Sequence, residues 1–170
     1  RLTGAGEEKR AAEHAVQSLW LAIFLGLALA AGGTLAATPL LQLLGARGDL
    51  LAHASIYFRL SMYGAPAMLV MLAGVGYLRG IKDTVRPLWV AIGTALLNLV
   101  LELVLIYRFD LGIGASAMAT VVAQWVGAFC YLLWISRAIR PHHVSLTPDF
   151  AAMRRLLTVA GELLGRTMAL

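Results

Sequence analysis

Long apolar runs alternate with short charged or turn-forming segments along this chain, and the runs cover residues 15–38, 54–78, 87–107 and 113–136. A bilayer-spanning helix needs ~20 mainly apolar residues, so each run predicts one membrane span. A fifth run begins near Ala151 and is still apolar at Leu170. Together with a first residue of Arg1 in place of Met, it predicts a fragment of a longer chain that ends inside a truncated span over 151–170.

The punctuation between the runs predicts how they connect. Residues 4–14 are rich in Glu, Lys and Ala, which suits a helix at the cytoplasmic surface. Gly4 and Gly6 have the spacing of half a dinucleotide fingerprint, but no strand precedes them, so a cytoplasmic turn is the reading. Pro39 opens a short apolar tail after the first span, and Gly45 to Asp49 forms an external turn. Its Arg-Gly-Asp triplet is turn chemistry, with no adhesive role.

In the second run, Pro66 lacks a backbone donor and clashes with the preceding turn, which predicts a kink near mid-membrane. Met68 and Met71 share a face of that run and read as core or lipid contacts. Arg79 to Pro87 is a tight connection with Asp83 or Thr84 as helix cap and Pro87 in the first turn of the next helix. Phe109 to Gly114 is equally short, so the third and fourth spans should lie antiparallel as neighbours. Residues 138–150, with Pro141, His142, His143 and Pro148, read as a cytoplasmic linker between two bundles, and residues 1–137 as one partial bundle.

Composition turns these runs into a membrane protein. Of 170 residues 60% are apolar and 14% charged, and the mean hydropathy is +0.79, beyond the usual range of soluble domains. The net charge of +5 would suit a nucleic-acid partner, but the basic residues segregate by side. Arg1, Lys9, Arg10, Arg79, Lys82, Arg86, Arg137, Arg140, Arg154 and Arg155 flank the runs on one side, whereas only Arg47 and Arg108 lie in the opposite connections. That asymmetry assigns the N-terminus and the even connections to the cytoplasm and removes the nucleic-acid reading. Cys130 is alone within a span, so no disulfide framework exists. The His142–His143 pair has no further ligands in sequence, and no metal site or cofactor is expected.

Two polar stripes carry the candidate chemistry. Thr94, Asn98 and Glu102 recur every four residues in the third run, and Ser116, Thr120 and Gln124 do so in the fourth. Each set occupies one slowly winding helix face. Counting depth from the short outer loop at ~1.5 Å per residue places Glu102 beside Thr120 and Asn98 beside Gln124. Neutral polar residues in spans often serve only to hold helices together, at ~0.6 kcal/mol each. That account covers the Ser and Thr residues and leaves Glu102 unexplained. An ionisable side chain there costs at least ~2.5 kcal/mol on insertion scales, which marks it as a candidate ion-pathway residue. Arg108, six residues further along, would have to fold back to pair with it. Asn98 can donate to a carboxylate and accept from a carboxylic acid, so it suits either protonation state.

The order of motifs resembles the multidrug and toxic compound extrusion (MATE) antiporters, particularly their DinF-like bacterial branch. The resemblance rests on Gly4-Ala-Gly6 with its basic residues, Leu43-Leu-Gly-Ala46, Gly64-Ala-Pro-Ala-Met68, Leu78-Arg-Gly-Ile-Lys-Asp-Thr84 with Pro87, Leu97-Asn-Leu-Val-Leu-Glu102, Leu111-Gly-Ile-Gly-Ala-Ser-Ala117 and Ala119-Thr-Val-Val-Ala-Gln124. It implies an all-α integral membrane protein, a polytopic bundle forming most of one six-helix lobe of a two-lobed transporter. This chain would supply spans three to six and the start of seven. The family places an Asn and, four residues later, an acidic residue in a cation-coupling cluster, which here implies Asn98 and Glu102. Glu102 stands where many members have Asp, and a second acidic residue is expected in a first span outside this chain.

The functional expectation is a secondary antiporter that exports drug-like or toxic organic compounds in exchange for H⁺ or Na⁺ by alternating access. Glu102 and Asn98 would couple the cation, Thr94, Thr120 and Gln124 would line or support the cavity, and Pro66 would kink the second span. The expected partners are the bilayer, a small organic substrate and the remaining spans of the full chain. The expected location is the bacterial inner membrane, with a cytoplasmic N-terminus. A lipid-linked saccharide flippase is the alternative, but it calls for several cavity-facing cations, and the four complete spans offer only Arg59 near an outer end. An intramembrane enzyme would need a catalytic partner for Glu102, and His14 and His53 lie at span ends. A bundle that transports nothing is the remaining reading. In the fifth run Glu162 and Arg166 have the spacing of a local ion pair.

Overall fold

The structure, a computed structural model, describes residues 5–108 and 112–168, and for residues 5–8, 142, 160 and 163–168 the backbone alone. All of its regular elements are helices: α1 (Ala5–Leu43), α2 (Gly48–Met62), α3 (Ala65–Gly80), α4 (Val85–Tyr107), α5 (Ile113–Ile139), a 3-10 turn (Arg140–His142) and α6 (Phe150–Met168). Among the described residues α1, α4 and α5 are long and apolar enough to cross a membrane, and a fourth crossing results if α2 and α3 count as one bent span.

Helix α1 joins two segments that the sequence separates. No breaker interrupts the helix-forming residues before Ala15, so surface segment and first span become one helix of 39 residues, ~58 Å long at ~1.5 Å per residue. That is about twice the ~30 Å hydrocarbon thickness. Pro39 lies inside this helix, where it does not end it. The stop comes at Gly45, whose φ of +91° lets Gly45 N–H bond Gln42 O at 3.0 Å and Ala46 N–H bond Leu41 O at 2.9 Å. These are the two bonds of a Schellman termination.

The expected kink is a break. α2 and α3 meet at 43°, and at the junction Tyr63 N–H turns to Leu60 O and Gly64 N–H to Ser61 O. Pro66, buried in the first turn of α3, has no N–H to carry the helix ladder through. At the next connection Asp83 alone is the cap. Its Oδ1 accepts from Val85 and Arg86 N–H at 3.2 and 3.1 Å, while Thr84 makes no side-chain cap bond. Pro87 lies buried in the first turn of α4, as its sequence position predicts.

Helix α5 is the centre of the bundle and packs against α1, α2, α3 and α4. Small residues allow this, with Ala115, Ala117, Ala119, Ala123, Gly127 and Ala128 all buried on α5. Without a hydrophobic drive between helices in lipid, such residues let backbones approach and gain dispersion contacts. Gly74 of α3 is the tightest example, because a Cβ there would come within 2.6 Å of the Tyr131 ring. Tyr131, Leu78 and Val90 form a core cluster between α3, α4 and α5. The outward face of α4 exposes Leu88, Trp89, Ile92, Leu96, Leu99 and Leu103, an apolar surface suited to lipid or to further spans. Helix α6 carries Arg154, Arg155, Glu162 and Arg166 and is not among the described helices long and apolar enough to cross by themselves.

Candidate cation-coupling site on α4 and α5

The two stripes do meet, one turn away from the predicted register. Asn98 Nδ2 donates to Thr120 Oγ1 at 3.0 Å, and Thr120 Oγ1 donates to the Ser116 carbonyl at 3.0 Å. Asn98 therefore lies opposite Thr120, where counting predicted Gln124. The reason is the turn. α4 ends at Tyr107 and α5 begins at Ile113 behind Gly112, so its centre lies nearer α4 than a loop counted over residues 109–114 allows. The same antiparallel register puts Glu102 level with Ser116.

The relay fixes the amide of Asn98. The hydroxyl hydrogen of Thr120 is committed to Ser116, so Thr120 can only accept from its neighbour, and the Asn98 NH₂ must face it. The Asn98 Oδ1 is then free to turn toward another group. Glu102 is half-buried, one turn further out, and forms no hydrogen bond with Asn98. The ion pair among the described residues is Arg86 Nε to Asp83 Oδ2 at 3.2 Å, and Arg108 is exposed and does not reach Glu102. A half-buried carboxyl in an apolar helix thus has no protein partner among the described residues.

The remaining expected residues divide. Thr94 is half-buried but turns its hydroxyl back to Val90 O at 2.8 Å, while its methyl group packs near Gly127. It is a packing residue between α4 and α5. The Gln124 side chain reaches Gly64 at the break between α2 and α3, so it supports the bend and does not touch Asn98. Pro66 is buried at that same break. Trp125 was not singled out by sequence, yet its indole N–H donates to the Tyr63 carbonyl at 3.1 Å, beside the interrupted ladder. The available signal was that an indole donor inside a span needs an acceptor. Gln17 was also missed, as a polar residue within the first apolar run.

Other candidates do not gather. His143 is exposed at a φ of +48°, the His142 side chain lies outside the described residues, and no group of three metal-ligating side chains occurs among the described residues. Glu162 is exposed, and the side chain of its suggested partner Arg166 lies outside the described residues, as do Gly4 and the loop 109–111.

With this geometry in place, comparison with known proteins is decisive at the family level. The MatE family model matches residues 1–104. The chain belongs to the MATE family. Protein DETOXIFICATION 44, chloroplastic, of Arabidopsis thaliana is 36% identical over 157 residues, 90% of this chain and 29% of that protein. DNA damage-inducible protein F of Escherichia coli K12 is 26% identical over 171 residues, 98% of this chain and 37% of that one. A solved inward-facing conformation of a multidrug resistance MATE family transporter superposes with a TM-score of 0.78 at 28% identity, over 92% of this chain and 36% of that chain. The chain thus spans about a third of the length of these MATE relatives. Its all-α membrane architecture is that of a segment of a MATE transporter.

Proposed function

We propose that the full-length protein is a secondary antiporter that exports drug-like or toxic organic compounds in exchange for H⁺ or Na⁺, with Glu102 and Asn98 at the coupling site. One observation carries the reading: Glu102 is half-buried in α4 without a protein partner among the described residues, one turn from an amide whose NH₂ is already committed to Thr120. Such a carboxyl is costly in a span, and a bound proton or cation would supply the charge it lacks. The name of the multidrug resistance transporter with the same fold supports the substrate class.

Cation binding at Glu102 changes the charge on the α4–α5 face, and this biases the lobe between inward-open and outward-open packings to the extent that the two states bind the cation differently. Thr120 and Ser116 hold Asn98 in place, and Gln124 and Trp125 extend α5 to the break at Pro66. In this reading the start of α1 and the α3–α4 connection lie on the cytoplasmic side of a bacterial inner membrane, which the one-sided distribution of basic residues supports. Residues 138–150 link the two lobes, and α6 begins the second. The flippase alternative gains no support from Arg59, which is exposed and donates to Thr38 Oγ1 at 3.1 Å.

The test is dye efflux from inverted vesicles carrying the full-length protein, driven by an imposed proton or sodium gradient. Glu102→Gln keeps the shape and removes the charge, and its expected result is loss of gradient-driven efflux with normal membrane insertion. Wild-type efflux by the Gln variant would sink the coupling assignment.

A further inference from the structure

Gln17 is the buried polar side chain of the described residues, and both ends of its amide pair with a segment 130 positions away. Its NH₂ donates to Thr147 O at 3.1 Å, and its carbonyl accepts from Asp149 N–H at 2.7 Å. One side chain therefore satisfies a backbone acceptor and a backbone donor two residues apart, in the way a neighbouring strand would. The orientation of the amide is specific, because a flipped amide loses both bonds.

The contact is reinforced on both sides. One turn along α1, Trp20 donates its indole N–H to Leu146 O at 2.8 Å. Trp20 stacks on Phe24 and Phe24 on Phe150, with ring centroids 5.7 and 6.2 Å apart. Asp149 then passes the anchorage to α6, because its Oδ1 accepts from Ala151 and Ala152 N–H at 2.9 and 3.1 Å. Met153, in the first turn of α6, is buried. Among the described residues beyond it, Leu156 is half-buried, and Leu157 and Val159 are exposed. A polar cavity of about 300 Å³ lined by Glu13, His14, Ser145 and Thr147 flanks the contact.

We infer that Gln17 is a positioning residue of the transport cycle: it pins the linker and the capped start of α6 to α1, which makes this contact the fulcrum on which the rest of α6 turns. The inference rests on the two-lobed antiporter reading, in which α1 and α6 belong to different lobes. A helix held through its first turn can change its tilt while its start stays in place. The linker then travels with the lobe of α1 throughout the cycle.

The experiment uses the full-length protein in nanodiscs, with Cys130→Ser and every other native cysteine replaced, and with spin labels at Lys9→Cys and Arg155→Cys, both exposed positions. The inter-label distance is measured in acidic and alkaline buffer, with and without sodium, and with tetraphenylphosphonium as probe. The expected distribution is narrow and the same in every condition, and Gln17→Leu broadens it. Hydrogen exchange at the Asp149 amide rises roughly threefold to tenfold in Gln17→Leu, the factor for one net hydrogen bond. Trp20→Phe, which keeps the ring and removes one donor, gives a smaller change of the same sign and covers the case in which Gln17→Leu does not fold.

A wild-type distance that moves with conditions would make the contact a gate and overturn the fulcrum. So would a Gln17→Leu distribution as narrow as wild type. Failure of the antiporter reading has a different signature: no gradient-driven dye efflux, with the distance and its response to Gln17→Leu intact.

Discussion

Asn98 of α4 gives its side-chain N–H to Thr120 of α5 at 3.0 Å, and Thr120 passes its own hydrogen to Ser116 O at 3.0 Å. The order of donors matters, because it leaves Asn98 with an uncommitted carbonyl one turn from Glu102. If the two residues act as one unit, their substitutions are not additive. A cycle of Asn98→Ala, Thr120→Val and the double variant should show a coupling of ~0.6 kcal/mol, and at most ~1.7 kcal/mol, as such bonds do in membrane helices. Equilibrium unfolding in mixed micelles measures it, and a coupling of zero would show that the bond does not persist in lipid.

Glu102 makes the opposite prediction for stability and activity. A half-buried carboxyl without a protein partner among the described residues costs free energy that a neutral isostere does not. Glu102→Gln should therefore unfold at the same or a higher temperature than wild type while gradient-driven efflux drops at least about tenfold, the stability–activity trade expected of a functional site. Differential scanning fluorimetry beside the efflux assay reads both. A variant that loses stability and activity together would place Glu102 among the structural residues.

Lys82 ends α3 in a conformation that lysine adopts at a cost. Its φ is +63°, where Lys82 N–H bonds Arg79 O at 3.0 Å and Asp83 N–H bonds Leu78 O at 2.8 Å. This is the same pair of bonds that Gly45 supports at the end of α1, and the left-handed region costs a residue with a Cβ ~1–2 kcal/mol. Lys82→Gly should raise unfolding stability by ~0.5–1 kcal/mol after the greater chain entropy of glycine is subtracted. A decrease would mean that the lysine side chain holds a contact worth more than the strain.

Sequence pattern carried the helical class, the antiparallel α4–α5 pair and the break at Pro66, because each follows from local composition or from a missing backbone donor. It misplaced the partner of Asn98 by one turn, since the depth at which two helices meet depends on where the turn between them is centred. It separated the charged N-terminal segment from the first span, although nothing between Lys9 and Ala15 breaks a helix. Gln17 and Trp125 passed unnoticed for a common reason. Their partners are backbone groups of Thr147, Asp149 and Tyr63, which carry no sequence signal.

The break between α2 and α3 gives the last prediction. Pro66 withholds one N–H from the ladder, Gly64 leaves room for the Gln124 side chain, and the Trp125 indole covers the Tyr63 carbonyl at 3.1 Å. Restoring the donor alone should not straighten the span, because Gln124 and Trp125 hold the bend from α5. Pro66→Ala is therefore expected to change the angle little, whereas Pro66→Ala with Trp125→Phe should straighten it. Spin labels at Leu50 and Leu72, exposed positions on either side of the break, report this as a longer distance in the double variant than in either single one. If Pro66→Ala alone lengthens the distance fully, the bend is set by the proline and α5 merely fills the space it leaves.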